Sequence, residues 1–220
     1  MLNRKSVLAI ISIFALLSVL AWFRLASAPP IAAQGPTTHS IYLPLIQRAC
    51  VSAQLVRDSS FELGLPNADW VTTSTVASEI LDNTPSIPAP NPTHTGNWKA
   101  WLGGYNSIQE TLYQTLIVPP GTPRLRIGFW RYITTQESSP FINDRLDIQI
   151  RDNSGALLET LYTLWDGDAN GGTTWTQHIL TPTNPYAGQT VRLVFLATTD
   201  ATEPTSFFVD DVTATVMCQP

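Results

Sequence analysis

Apolar and polar positions alternate through the second half of this chain. In Arg124–Thr134, Leu125, Ile127, Phe129 and Ile133 fall on one side, with Arg124, Arg126, Trp130 and Tyr132 on the other. Leu146, Ile148 and Ile150 alternate with Asp147, Gln149 and Arg151. Val191, Leu193, Phe195 and Ala197 alternate with Arg192, Val194, Leu196 and Thr198. Phe208, Val212, Ala214 and Val216 read as one face of a last strand, which puts Asp210 on that face and Asp211 on the other. A period of two marks a half-buried strand. Pro119-Pro120-Gly121, Asp152-Asn153-Ser154-Gly155 and Ala187-Gly188-Gln189 supply turn chemistry between the runs. No segment after Cys50 keeps helical periodicity for three turns, and residues 84–95 carry four prolines and must be a loop. The expectation is an all-β antiparallel fold, a sandwich or barrel.

The first residues differ. Arg4 and Lys5 precede an apolar run from Val7 to Phe23, broken only by Ser12 and Ser18. This is the layout of a secretory signal or a retained N-terminal anchor, with Ala26-Ser27-Ala28 or Ile31-Ala32-Ala33 as cleavage positions. The positive charge ahead of the run keeps that end inside, so the remainder is exported: secreted or anchored at the cell surface. The predicted organisation is residues 1–28 as signal or anchor, 29–49 as a Pro-rich stalk, and 50–220 as one domain large enough for a full core. Membrane contact is expected through the N-terminal segment alone.

Charge narrows the partners. The chain carries a net charge of −5, and the exported part is more acidic, because Arg4, Lys5 and Arg24 lie in the first 28 residues. Such a balance argues against nucleic acid as a partner. Export also makes disulfide chemistry reasonable. The two cysteines, Cys50 and Cys218, bracket everything that looks folded. They are expected to form one bridge joining the first and last strands, because two cysteines alone do not complete a usual zinc site.

A family likeness rests on ordered short motifs. Ser60-Phe61-Glu62-x-Gly64 with Trp70, Gly96-x-Trp98-x-Ala100-Trp101-Leu102-Gly103, Gln114 ahead of Val118-Pro119, Tyr186-Ala187-Gly188-Gln189-x-Val191 and Phe208-Val209-Asp210-Asp211-Val212 follow one another across residues 54–216. In this order they resemble the jelly-roll, carbohydrate-binding-like (galactose-binding-like) β-sandwich domains of exported bacterial proteins. The resemblance implies an antiparallel jelly-roll sandwich. It also implies a structural calcium held by an early Glu and a late Asp, here Glu62 and Asp210, with the carbonyl of Asp58. A hard cation with six to eight oxygen ligands suits that set. The alternative is that Asp210 accepts backbone or arginine hydrogen bonds without metal.

Three further groups bear on chemistry. Asp166-Gly167-Asp168-Ala169-Asn170-Gly171 matches the first half of an EF-hand loop, which makes Asp166, Asp168 and Asn170 candidate calcium ligands. Gln177 replaces the closing Glu and the flanks read as strands, so a polar hairpin loop stapled by Trp165 and Trp175 is the competing reading. Trp101, Trp130 and Tyr132 point away from the core; they are candidate stacking platforms for sugar rings unless the Pro-rich loop covers them. Asp147, Gln149 and Arg126 are polar companions if their strands share that sheet. Catalysis has little support. His39, His94 and His178 occur in no H-x-x-x-H pattern, there is no G-x-S-x-G, and pairing among Glu137, Asp144 and Asp147 is not legible from spacing. The functional expectation is a non-catalytic extracellular module recognising a polysaccharide or glycan. A structural or adhesion domain contacting a cell-surface protein is the alternative.

Overall fold

The structure is a computed structural model; it describes residues 52–84, 93–122, 124–138, 142–169 and 174–217. Cys50, Cys218 and Asn170 lie outside these residues, as do the N-terminal segment, the stalk and most of the Pro-rich loop.

Eleven strands are present among the described residues: β1 (Ala53–Gln54), β2 (Val71–Ser74), β3 (Leu81–Asp82), β4 (Lys99–Gly103), β5 (Gln109–Ile117), β6 (Arg124–Thr135), β7 (Arg145–Asp152), β8 (Leu157–Trp165), β9 (Thr176–Leu180), β10 (Thr190–Thr198) and β11 (Thr205–Met217). They form two antiparallel sheets. Sheet A runs β3-β4-β11-β6-β9, with β1 also on β11; sheet B runs β2-β5-β10-β7-β8. A single 3-10 turn, Asp166–Asp168, is the one helical element described.

The alternation does what the sequence requires. Leu125, Ile127, Phe129 and Ile133 of sheet A pack with Leu112, Leu116, Leu146, Ile148, Ile150, Val191, Leu193 and Phe195 of sheet B in one core. Phe129 meets Phe195 edge to face across the layers, at 5.3 Å and 81°. Burying each such side chain stabilises by about 1.5–3 kcal/mol. Gln114 sits on the inward side of β5 and replaces a missing strand partner. Its Oε1 accepts the Arg57 N–H at 2.7 Å and its Nε2 donates to the Arg57 carbonyl at 2.9 Å.

The last strand departs from the sequence reading. Phe207 and Val209 belong to the core, and so do Val212 and Ala214. The alternation therefore shifts by one residue between them. The cause is a bulge: the register against β6 slips between Asp210 and Thr213, and Asp211 has φ of 48°. One extra residue flips every later side chain. Phe208 and Asp210 thus face outward, on the side opposite Val212, Ala214 and Val216. The bulge also divides the edge of β11, with β4 pairing Ser206–Val209 and β1 pairing Thr215–Val216.

Candidate functional site

The outer face of sheet A carries a row of rings. In register, Trp101 of β4 lies beside Phe208 of β11, which lies beside Tyr132 of β6. The rings follow at 5.8 Å from Trp101 to Phe208, 5.8 Å from Phe208 to Tyr132 and 5.7 Å from Tyr132 to Trp175. Trp130, the next outward residue of β6, stacks face to face with His94 at 3.9 Å and 17°. The outward direction read for Trp101, Trp130 and Tyr132 is therefore correct. None of the three rings is fully exposed. Tyr132 is only 5% and Phe208 only 2% exposed, while Trp101 and Trp130 are half-buried. His94, from the end of the Pro-rich loop, covers Trp130.

Trp101 is placed differently from its neighbours. It borders a groove of about 270 Å³ lined also by Tyr105, Thr134, Gln136, Pro204 and Ser206. Its indole N–H is buried and meets no acceptor among the described residues. A flat ring beside hydroxyl and amide groups is the composition that suits a sugar, whose ring has an apolar face and a polar rim. Asp147 and Gln149 do not belong here: their strand, β7, is in sheet B, so they lie on the opposite outer face from Trp130. Asp147 is occupied there by Arg145 at 3.2 Å and the Thr163 hydroxyl at 2.6 Å.

Glu62, Asp210 and Asp211 hold one loop. Asp210 is fully buried, and its Oδ2 accepts the N–H groups of His94 (2.8 Å) and Thr95 (3.1 Å) while Oδ1 accepts that of Asp211 (2.7 Å). Glu62 Oε1 accepts the N–H groups of Asn97 (2.8 Å) and Trp98 (2.9 Å). Asp211 accepts the Thr95 hydroxyl at 2.6 Å and pairs with His94 Nδ1 at 2.5 Å. Burial pushes the Asp210 carboxyl up to about 6 against the pull of its N–H donors. As calcium ligands the set fits in part. Glu62 Oε2 and one lone pair of Asp210 Oδ1 take no described hydrogen bond, whereas the Asp58 carbonyl already accepts the Trp70 indole N–H at 2.9 Å.

The acidic loop after β8 is not a hairpin. β8 belongs to sheet B and β9 to sheet A, so the two strands do not pair with each other. Trp165 lies opposite Arg145, while Trp175 contacts Tyr132 and His94; the two rings are not a cross-strand pair. Asp168 Oδ2 accepts the Trp165 N–H at 2.9 Å, and its carbonyl accepts Arg131 Nη1 at 2.7 Å. Asp166 Oδ1 accepts the Gly167 N–H at 2.9 Å. These bonds shape the turn.

The sequence reading missed Phe208 as a member of the ring row, because the bulge is invisible to a simple period. It also missed His94 and Trp175 as the rings that extend the row, since both lie outside alternating runs.

No protein-family model matches the sequence, and no curated protein matches it. Solved structures match by shape. The carbohydrate-binding module TmCBM61, determined in complex with beta-1,4-galactotriose, superposes with a TM-score of 0.51 at 16% identity over 74% of this chain and 97% of that one. The K3 cleaved adhesin domain of Lys-gingipain from Porphyromonas gingivalis W83 superposes with a TM-score of 0.52 at 18% identity over 75% and 99%. The chain thus has the jelly-roll type of β-sandwich fold found in carbohydrate-binding modules and cleaved adhesin domains alike.

Proposed function

We propose that this protein is a non-catalytic, extracellular carbohydrate-binding module whose site is the groove at Trp101. The observation that carries the reading is a half-buried tryptophan with an unpaired indole N–H, set among Tyr105, Thr134, Gln136 and Ser206. Trp101 supplies the stacking face, and the hydroxyl and amide groups supply hydrogen bonds to sugar hydroxyls. Trp130 and Tyr132 serve as the packed floor that fixes the row, since His94 and burial withdraw them from direct contact. The fold shared with a galactotriose-bound module supports a polysaccharide ligand. Binding is tested by electrophoresis through gels containing soluble polysaccharides and by pull-down on insoluble ones. Retardation on at least one polysaccharide, abolished by Trp101→Ala and little changed by Trp130→Ala, is the expected result. No retardation on any polysaccharide, or equal retardation of Trp101→Ala, rejects the site.

A second reading, an adhesion domain contacting protein, is favoured by two observations. Tyr132 and Phe208 are covered, and Leu157 and Ile179 on the edge strands β8 and β9 are 56% and 48% exposed. Protein capture without any glycan binding selects this reading.

Calcium at Glu62 and Asp210 is part of the proposal, with Glu62 Oε2 and Asp210 Oδ1 as its carboxylate donors. Bound there, it would supply charge compensation for a fully buried carboxylate and tie the start of the domain to β11. Export through the N-terminal segment and the Cys50–Cys218 bridge belong to the same proposal. The antiparallel pairing of Ala53 with Val216, each a few residues from a cysteine, supports the bridge.

A further inference from the structure

Three carboxylates from two connections, β6–β7 and β10–β11, come together. Glu137 follows β6, Asp144 precedes β7 and Asp200 follows β10. One oxygen of each lies within 4.8 Å of the other two. Asp144 is fully buried; its Oδ1 accepts the Asp200 N–H at 2.7 Å and its Oδ2 accepts the Thr205 N–H at 3.0 Å. Asp200 uses Oδ1 on Thr202, at 2.7 Å from the N–H and 2.9 Å from the hydroxyl. Glu137 is the odd member. The residue is half-buried, yet its Oε1 is sealed from solvent and takes no hydrogen bond from any described residue. A sealed carboxylate oxygen without a donor is costly, and it points at a missing positive partner. No described lysine, arginine or histidine forms an ion pair with any of the three.

We propose that Glu137, Asp144 and Asp200 bind a hard divalent cation, calcium by size, at a site distinct from Glu62 and Asp210. Calcium–oxygen distances of about 2.3–2.6 Å allow two ligands of one ion to lie up to about 5 Å apart, which accommodates the observed spacing. Magnesium, at about 2.0–2.1 Å, needs a tighter set. The trio offers up to six oxygens, one lone pair each where an N–H already binds, and water completes the shell. The carboxylates oppose one another: burial, then the charges of Asp200, Asp144, Glu203 and Asp166, raise the Glu137 carboxyl above its ordinary range, and burial does the same at Asp144. A cation reverses that opposition. It would also brace the Trp101 groove, because Glu137 N–H donates to Thr135 Oγ1 at 3.0 Å and Gln136 N–H to the Pro204 carbonyl at 3.3 Å. That last consequence rests on the glycan reading; the cation site does not.

The test is calorimetric titration of calcium chloride into the full chain after chelator treatment and dialysis. A binding event is expected that weakens at least tenfold in Glu137→Gln and in Asp200→Asn and persists in Glu62→Gln. Asp200 is partly exposed, so its variant serves if Glu137→Gln fails to fold, with near-ultraviolet circular dichroism as the check. Magnesium should compete poorly. No calcium heat up to about 10 mM, beyond the weak end of extracellular sites, overturns the proposal. So do isotherms of both variants that superimpose on the unaltered protein, or loss of all calcium binding in Glu62→Gln.

Discussion

A carboxylate that accepts two or three backbone N–H groups pins a loop as a strand partner would, and Glu62 and Asp210 do this for residues 94–98. Whether calcium shares the work is read from chelation. With calcium at Glu62 and Asp210, chelator lowers the melting temperature, and Glu62→Gln makes that fall smaller. A melting curve indifferent to chelator removes this site. His178 makes a separate prediction. Its ring lies between Phe129 at 5.4 Å and Tyr162 at 5.2 Å, and Arg131 Nε donates to its Nε2 at 3.4 Å. Burial, and then the Arg131 charge, hold its pKa below the usual histidine value. The unfolded chain therefore takes up this proton first as pH falls. The stabilisation is complete above about pH 6.5 and is lost below it, as pH falls toward and through the depressed folded value. Urea midpoints at pH 7 and pH 5 should differ more for the natural sequence than for His178→Phe, which keeps a ring but cannot titrate. Equal pH dependence in both would contradict this.

At the level of the element, β4 and β11 lie closer than side chains permit. A Cβ on Gly103 would sit 2.2 Å from the Thr205 carbonyl oxygen, and its φ is +85°. The same residue donates its N–H to the buried Glu110 at 2.9 Å. Backbone cannot yield as a flexible side chain can, so Gly103→Ala should cost about 2 kcal/mol or more. In a domain of this size that lowers the melting temperature by about 4–8 °C. A fall of less than about 2 °C would show that the strands separate easily. The strands themselves were legible in the sequence, because each half-buried face prints its own alternation. Their assignment to sheets was not. Periodicity records which side of a strand is apolar, not which strand lies beside it, so it leaves open whether Asp147 and Gln149 share a sheet with Trp130; the fold puts them in the other layer. The bulge at Asp211 was hidden for a similar reason: two consecutive aspartates do not reveal which of them is the extra residue. Glu137 and Asp144 come from the β6–β7 connection and Asp200 from the β10–β11 connection, and only the fold brings all three together.

For the whole molecule, the two-layer architecture and the neighbourhood of its first and last strands were both foreseeable. The motif order spans the domain, and β1 does pair with β11. A bridge between Cys50 and Cys218 would close a loop of nearly the full domain, stabilising by about 4–5 kcal/mol in the chain-entropy view. Reducing agent should accordingly lower the melting temperature of protein recovered from an oxidising compartment. Mass spectrometry that finds both thiols open to alkylation there would dismiss the bridge.

The position of β11 bears on biosynthesis. It joins β1, β4 and β6, yet it is translated after all of them. Until its residues leave the ribosome, β4 and β6 have no neighbour between them and sheet A stays open. A nascent chain halted before Thr205 should remain protease-sensitive, which, on the proposed export, would keep the polypeptide threadable for a translocation channel until β11 has been made.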